Sequence, residues 1–180
     1  KQVTPQKLYD DMYALLPNRE MIIGAVTNAK AESAFYWHAN GDARKNGSKG
    51  IDTSLYPNSF WDPRRGHCCS FGLWQYNICP ASALGTAFIN HYGATRADPD
   101  SQKMAILLDY SKQLEFMVIT MRKTFNVNET RTAQDWTKKF CIQIECIFAS
   151  KIINLNRVIY NKLCRLKRVN VSGIFTKFFY

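Results

Sequence analysis

The sequence predicts an α+β fold that is predominantly α, a helical domain with a small β-rich, loop-rich lobe. Three observations predict it. Apolar residues recur at spacings of three and four on either side of residues 36–80, the mark of amphipathic helices. Within 36–80, Gly41, Gly47, Gly50, Pro57, Pro63, Gly66, Gly72 and Pro80 punctuate the chain and break any such run. At 180 residues, with 46% hydrophobic and 21% charged residues, the chain fits one globular domain able to bury a core.

The first helix opens with Thr4 as N-cap and Pro5 at the first helical position, and sets Leu8, Met12 and Leu15 on one face. Pro17 and Asn18 stop it. A second helix follows over about residues 19–31, with Ile22, Ala25, Val26 and Ala29 as its apolar face; the small residues imply close packing at the domain centre. Glu32 ends this helix. The lobe at about 36–80 holds at most short strands, near 54–60 and 71–78. An irregular segment this long inside a compact domain points to function. Helices resume over about 81–92, ending at Gly93, and over about 100–124. The latter is capped by Asp98 or Asp100, can be broken midway, and buries Met104, Leu107, Leu108, Leu114, Met117 and Val118. Thr132 to Asp135 form a capping-box variant that opens a helix through about residue 148. A last helix covers about 152–165, and the tail from Val169 has no clear period.

Charge is distributed unevenly. Of 24 basic residues, seven lie in 151–180 with no Asp or Glu, leaving 17 basic against 14 acidic residues before them. Such a face suits an anionic partner, or a plain solvated surface. No run approaches the ~18 apolar residues of a membrane span. No signal peptide is evident, and Lys1 at the start implies that an N-terminal segment was removed or omitted. Six cysteines (68, 69, 79, 141, 146 and 164) leave the pairing open. His67, Cys68, Cys69 and Cys79 lack paired metal-ligand spacing, so no metal or other cofactor is expected, and Cys141 and Cys146 read as buried packing residues.

The chemistry rests on two places. Glu32, a lone carboxyl beside apolar surface, is a candidate to donate a proton. Forty residues on, SFGLWQYN at 70–77 mixes amides with aromatics, a combination that hydrogen-bonds sugar hydroxyls and stacks on ring faces. Each has a bland alternative: a solvated helix-end charge, and an ordinary core strand.

Together, AKAESAF at 29–35 and SFGLWQYN at 70–77 resemble the lysozyme superfamily, particularly goose-type lysozymes, soluble lytic transglycosylases and phage tail lysozymes. There a helix ends in Glu-Ser and a β-lobe carries a Gly-Leu-x-Gln motif. Gln113-Leu114-Glu115-Phe116 is similar to a Gln-Leu-x-Phe helix of the phage tail proteins, and Phe140 to Glu145 match a further helix loosely. The resemblance implies one lysozyme-like domain over 1–180, with its lobe at about 36–80 and a basic C-terminal helix and tail at about 151–180. It implies Glu32 as catalytic acid, Ser33 hydrogen-bonded around it, and Gly72, Leu73 and Gln75 on a substrate-lining strand. Trp74, Tyr76 and Asn77 join Gln75 as expected substrate contacts. Asn77 stands where goose-type relatives have an Asp, so a water-activating carboxylate must come from elsewhere: Asp62 first, then Asp52 and Asp42. Tyr36, Trp37, Tyr56, Phe60 and Trp61 are candidate sugar platforms or local core.

The implied activity is cleavage of the MurNAc–GlcNAc β-1,4 bond of peptidoglycan, by a phage endolysin or virion-associated lysozyme acting at the bacterial cell wall. The implied partner is this anionic glycan, with the chain a monomer unless it is part of a larger virion protein. A lytic transglycosylase, which needs only Glu32, is the alternative reaction. A non-catalytic wall- or chitin-binding module and a basic nucleic-acid binder using 151–168 are the readings of other classes, nucleic acid being the less expected.

Overall fold

A threonine and a proline start the first helix as expected. In the computed structural model, which describes residues 1–39, 70–78 and 83–145, helix α1 runs over Pro5–Leu15 and Thr4 Oγ1 accepts a hydrogen bond from Lys7 N at 3.2 Å. Leu8 and Met12 are wholly buried. Leu15, expected beside them, is 44% exposed, and Leu16 is buried instead. Leu16 lies four residues after Met12 and eight after Leu8, so it extends their buried row, and the backbone leaves the helix there (φ −146°, ψ 98°).

Asn18 does more than stop α1. Its Oδ1 accepts from Met21 N at 3.0 Å, capping helix α2 (Arg19–Ser33), and its Nδ2 donates to Val127 O at 2.8 Å. Residues 21–29 of α2 are all buried, so the helix is enclosed on every side rather than along one stripe. Burying each of Met21, Ile22, Ile23 and Val26 stabilises by about 1.5–3 kcal/mol. The polar residues inside this stretch are satisfied locally: Thr27 Oγ1 donates to Ile23 O and Asn28 Nδ2 to Gly24 O.

The chain divides into two compact units, one of Lys1–Val3 with Glu32–Met117, the other of Thr4–Ala31 with Val118–Tyr180. In the second, α2 lies against helix α6 (Ala133–Phe140) so closely that a Cβ at Gly24 would sit 2.8 Å from Trp136 Cβ. Glu20 Oε2 accepts from Ala133 N at 2.9 Å, and Thr132 Oγ1 accepts from Asp135 N, so two side chains cap α6. Phe125 packs on Trp136 and Phe140 at ring separations of 5.4 and 5.3 Å. After Phe140 the chain continues as a π-helical turn, Cys141–Glu145. Cys141 in that turn is partly exposed rather than buried; Cys146 and the other four cysteines lie outside the described residues.

The first unit is built on an antiparallel two-stranded hairpin, β1 (Ser70–Phe71) and β2 (Tyr76–Asn77), with Ser70 opposite Asn77 and Phe71 opposite Tyr76. Helix α3 (Leu84–His91) presses on it: Thr86 Oγ1 donates to Ile78 O, and a Cβ at Gly85 would come within 2.7 Å of Asn77 C. Gly93 ends α3 with φ +81°, the left-handed turn that glycine allows. Helices α4 (Asp100–Leu107) and α5 (Tyr110–Thr124) divide the stretch for which one interruptible helix was expected. Asp109 Oδ1 accepts from Lys112 N at 2.9 Å and starts α5. Neither Asp98 nor Asp100 caps α4, whose N-cap is Pro99; Asp98 turns back to Thr95 N and Oγ1. Tyr76, Phe88 and Phe116 form the aromatic centre, with Phe88 stacked on Phe116 at 4.9 Å.

The described residues are thus mostly helical with one small sheet. Among them no helix is long and apolar enough to cross a membrane, and no group of three or more His, Cys, Asp or Glu is placed to hold a metal ion. The expected strand near 54–60, the basic helix at 152–165 and the tail lie outside them.

Candidate functional site

Glu32 lies in the last turn of α2 and is half-buried; Ser33, which ends the helix, is 3% exposed. The chain then makes an unusual exit. Ala34 (φ 52°) and Phe35 (φ 67°) are both left-handed, a conformation that costs a non-glycine residue about 1–2 kcal/mol. Several bonds hold them there. Gln2 Nε2 donates to Ala34 O at 2.9 Å, Val3 N to Phe35 O at 3.1 Å, and Tyr36 N to Ser33 O at 3.1 Å, while Gln2 and Tyr36 pair as an antiparallel bridge. Phe35 is buried beneath the turn.

The hairpin corrects the expectation for SFGLWQYN. Gly72, Leu73, Trp74 and Gln75 form its turn rather than a substrate-lining strand, and the strands contribute only two residues each. Gln75 is left-handed as well, at φ 51°, and is half-buried. Its Nε2 folds back to Gly72 O at 3.0 Å, fixing the amide over its own turn. Asn77 Nδ2 donates to Ser70 Oγ across the hairpin at 3.3 Å. Trp74 and Tyr76, expected as substrate contacts, are 3% and 1% exposed. Tyr76 donates its hydroxyl to Gln113 O at 3.0 Å, and burial pushes its phenol well above the usual range. These two rings have no face to offer a sugar and belong to the core.

Glu32, Ser33, Gln75 and Asn77 therefore share one compact unit. Gly72 N donates to Ala39 O at 2.9 Å, joining the hairpin turn to the segment that follows α2. Trp37 and Tyr36 on that segment are half-buried. Trp37 packs edge-on with His38 at 4.0 Å and tilted against Tyr110 at 5.9 Å, with Lys1 Nζ 5.4 Å from its ring centre. Burial, then the positive charge at Lys1, holds His38 below its ordinary pKa, so its imidazole stays neutral at neutral pH. Asp62, Asp52, Asp42, Tyr56, Phe60 and Trp61 lie outside the described residues.

Sequence reasoning missed how Gln113 is used. This residue of α5 is wholly buried and bonds to three remote parts of the unit. The available signal was an amide in register with Met117 on an otherwise apolar helix face.

The half-buried Glu32 carboxyl and the amides of Gln75 and Asn77 thus belong to one unit, in which the hairpin turn is bonded to the segment that follows Glu32. Comparison with protein-family models, with curated proteins and with solved structures finds no match.

Proposed function

We propose that the chain is a peptidoglycan-degrading glycosidase of lysozyme-like architecture, cleaving the MurNAc–GlcNAc β-1,4 bond with Glu32 as general acid. Its setting is the bacterial cell wall, as a phage endolysin or virion-associated lysozyme. One observation carries the reading. Among the described residues, the left-handed non-glycine positions are Ala34, Phe35 and Gln75. Two follow Glu32 and Ser33 directly, and the third is the amide expected to meet an N-acetyl sugar. Backbone strain of this kind persists where surrounding structure enforces it, and it concentrates at functional sites.

In the proposed reaction Glu32 gives its proton to the glycosidic oxygen as the bond to the anomeric carbon breaks. A hydrolase then adds water, activated by a second carboxylate about 6.5–9.5 Å from the first, for which Asp62 is the candidate. A lytic transglycosylase is the second reading, and Asn77 favours it. The hairpin carries an amide, bonded to Ser70 Oγ, where a water-activating base would otherwise stand. In that case Glu32 serves as acid and then base, and the muramyl C6 hydroxyl attacks.

Glu32→Gln tests the assignment. It keeps the shape but removes the proton, and clearing of purified cell walls is expected to fall by at least about 10²-fold. Clearing that survives the substitution refutes Glu32 as the acid. Wall binding without cleavage by the unaltered chain identifies a binding module instead. Mass spectrometry of the products separates the two reactions, reducing muramyl ends marking hydrolysis and anhydro-muramyl ends transglycosylation.

A further inference from the structure

We propose that Gln113 is a positioning residue for this site, a buried amide that holds the Gln75 turn in register with the segment leaving the Glu32 helix. The reaction it would serve rests on the glycosidase reading above; the clamp rests on its own hydrogen bonds.

Gln113 is 0% exposed, and both ends of its amide are engaged. Oε1 accepts from Leu73 N at 2.9 Å. Nε2 donates to Trp37 O at 2.8 Å and to Leu107 O at 2.6 Å. Its backbone carbonyl accepts from Tyr76 Oη at 3.0 Å. An amide offers two donor hydrogens and one acceptor oxygen, and this one spends them on three segments far apart in sequence. Trp37 lies four residues beyond Ser33, and Leu73 lies two before Gln75. The two halves of the candidate site are thereby tied to one side chain.

Packing alone does not call for an amide here. A leucine or methionine would fill a buried helix position in an apolar unit, but would leave Leu73 N and two carbonyls without these partners. The surroundings are shaped to the amide as well. Leu107 is the last residue of α4, where a carbonyl lacks its helical partner, and Gln113 supplies one across the break. Gly72 lies against the amide so closely that a Cβ there would be 2.6 Å from Gln113 Cδ. Helix break and glycine both meet this group, and the Tyr76 hydroxyl holds the same residue by its main-chain carbonyl.

Gln113→Met keeps the length of the side chain and removes all three side-chain bonds. Two measurements on the full chain test it. Hydrogen exchange at the Leu73 amide is expected to accelerate at least about tenfold while amides in α1 keep their protection, as for loss of one local bond. Initial rates against purified cell-wall concentration are expected to show kcat lowered about 10–100-fold, with the half-saturating concentration changed less than about threefold, the signature of misplaced reacting groups. Unchanged protection at Leu73 overturns the clamp. Lost protection with kcat within about twofold of the original overturns the positioning role, since that is well below the misplacement effect.

Tyr76→Phe is the milder second variant should Gln113→Met not fold. It removes only the bond to Gln113 O and is expected to shift both readouts in the same direction by a smaller factor; no shift in either overturns the proposal. A chain that clears no wall before any substitution refutes the reaction, and the positioning role with it. The Leu73 exchange then still decides the clamp. Loss of clearing in Glu32→Gln with Leu73 fully protected separates the acid from its support.

Discussion

Two glycines with nearly the same backbone angle differ in their surroundings, and that difference makes the rigidity of the hairpin turn measurable. Gly72 has φ +77° and Gly93 φ +81°. Nothing lies within 4 Å of a Cβ added at Gly93, whereas at Gly72 it would meet Gln113 Cδ at 2.6 Å and Nε2 at 2.7 Å. Gly93→Ala therefore incurs the left-handed penalty alone, about 1–2 kcal/mol. Gly72→Ala incurs the same penalty and must also displace an amide that has no solvent to move into. Displacement orphans Leu73 N, a buried donor, at a further cost of about 1–3 kcal/mol, and loosens the bonds to Trp37 O and Leu107 O. The expected total is about 2–5 kcal/mol. With a urea slope of about 2 kcal/mol per molar, the midpoint falls by about 1–2.5 M for Gly72→Ala and by about 0.5–1 M for Gly93→Ala, the shared penalty leaving a gap of about 0.5–1.5 M. The assay is urea unfolding followed by circular dichroism, read only where the slope is unchanged. Midpoints for the two variants within about 0.3 M of each other, well inside the expected gap, would refute the claim that Gln113 is held in place.

Two further outcomes follow from the second unit. Hydrogen bonds from Arg131 and then Lys139 hold the Glu129 carboxyl down to about 2, below its ordinary value of 4.5. Its stabilising effect is present above pH 4.5 and is lost as pH falls towards 2; Glu129→Gln is expected to flatten the urea midpoint in that window, and an unaltered acid profile counts against the ion pairs. At the end of α1, Leu16→Ala is expected to cost about 2–5 kcal/mol as a buried truncation, and Leu15→Ala, 44% exposed, well under half of that. Equal losses would contradict the burial of Leu16 in place of Leu15.

The helices were legible because their signals are local. Thr4 and Pro5 open α1, and Thr132 opens α6, through bonds that reach only three residues ahead. The break between α4 and α5 was half legible. An interruption was expected, but its place at Asp109 and the bond from Gln113 back to Leu107 O are properties of the folded unit. Leu15 and Leu16 lie seven and eight residues after Leu8, spacings that both fit its helix face, and it is the row through Met12 to Leu16 that is buried. In the hairpin, a short strand was expected at about 71–78 and the resemblance set Gly72 and Leu73 on it, yet left-handed angles at Gly72 and Gln75 turn the chain instead. Burial of Trp74 and Tyr76 was equally hidden. An aromatic in a glycine-rich lobe reads the same whether it lines a groove or fills a core, until a partner such as Gln113 O is in place.

The distribution of strain argues that this unit is organised around its helix end rather than around stability alone. Ala34 and Phe35 could each relax toward ordinary angles if the chain left α2 by a glycine, and Gln75 if its turn carried one; the combined cost of the three is about 3–6 kcal/mol. Opposing that cost are the pairing of Gln2 and Val3 with the exit turn, Gly72 N on Ala39 O, and the amide of Gln113 on both Trp37 O and Leu73 N. These bonds do not merely neutralise strain at scattered points. They join the exit turn after Glu32 to the turn that presents Gln75, so neither relaxes without the other. A glycine at 34 would then raise stability while leaving the position of Gln75 less well defined, and it is the defined position, rather than the added stability, that the proposed proton donation to a glycan requires.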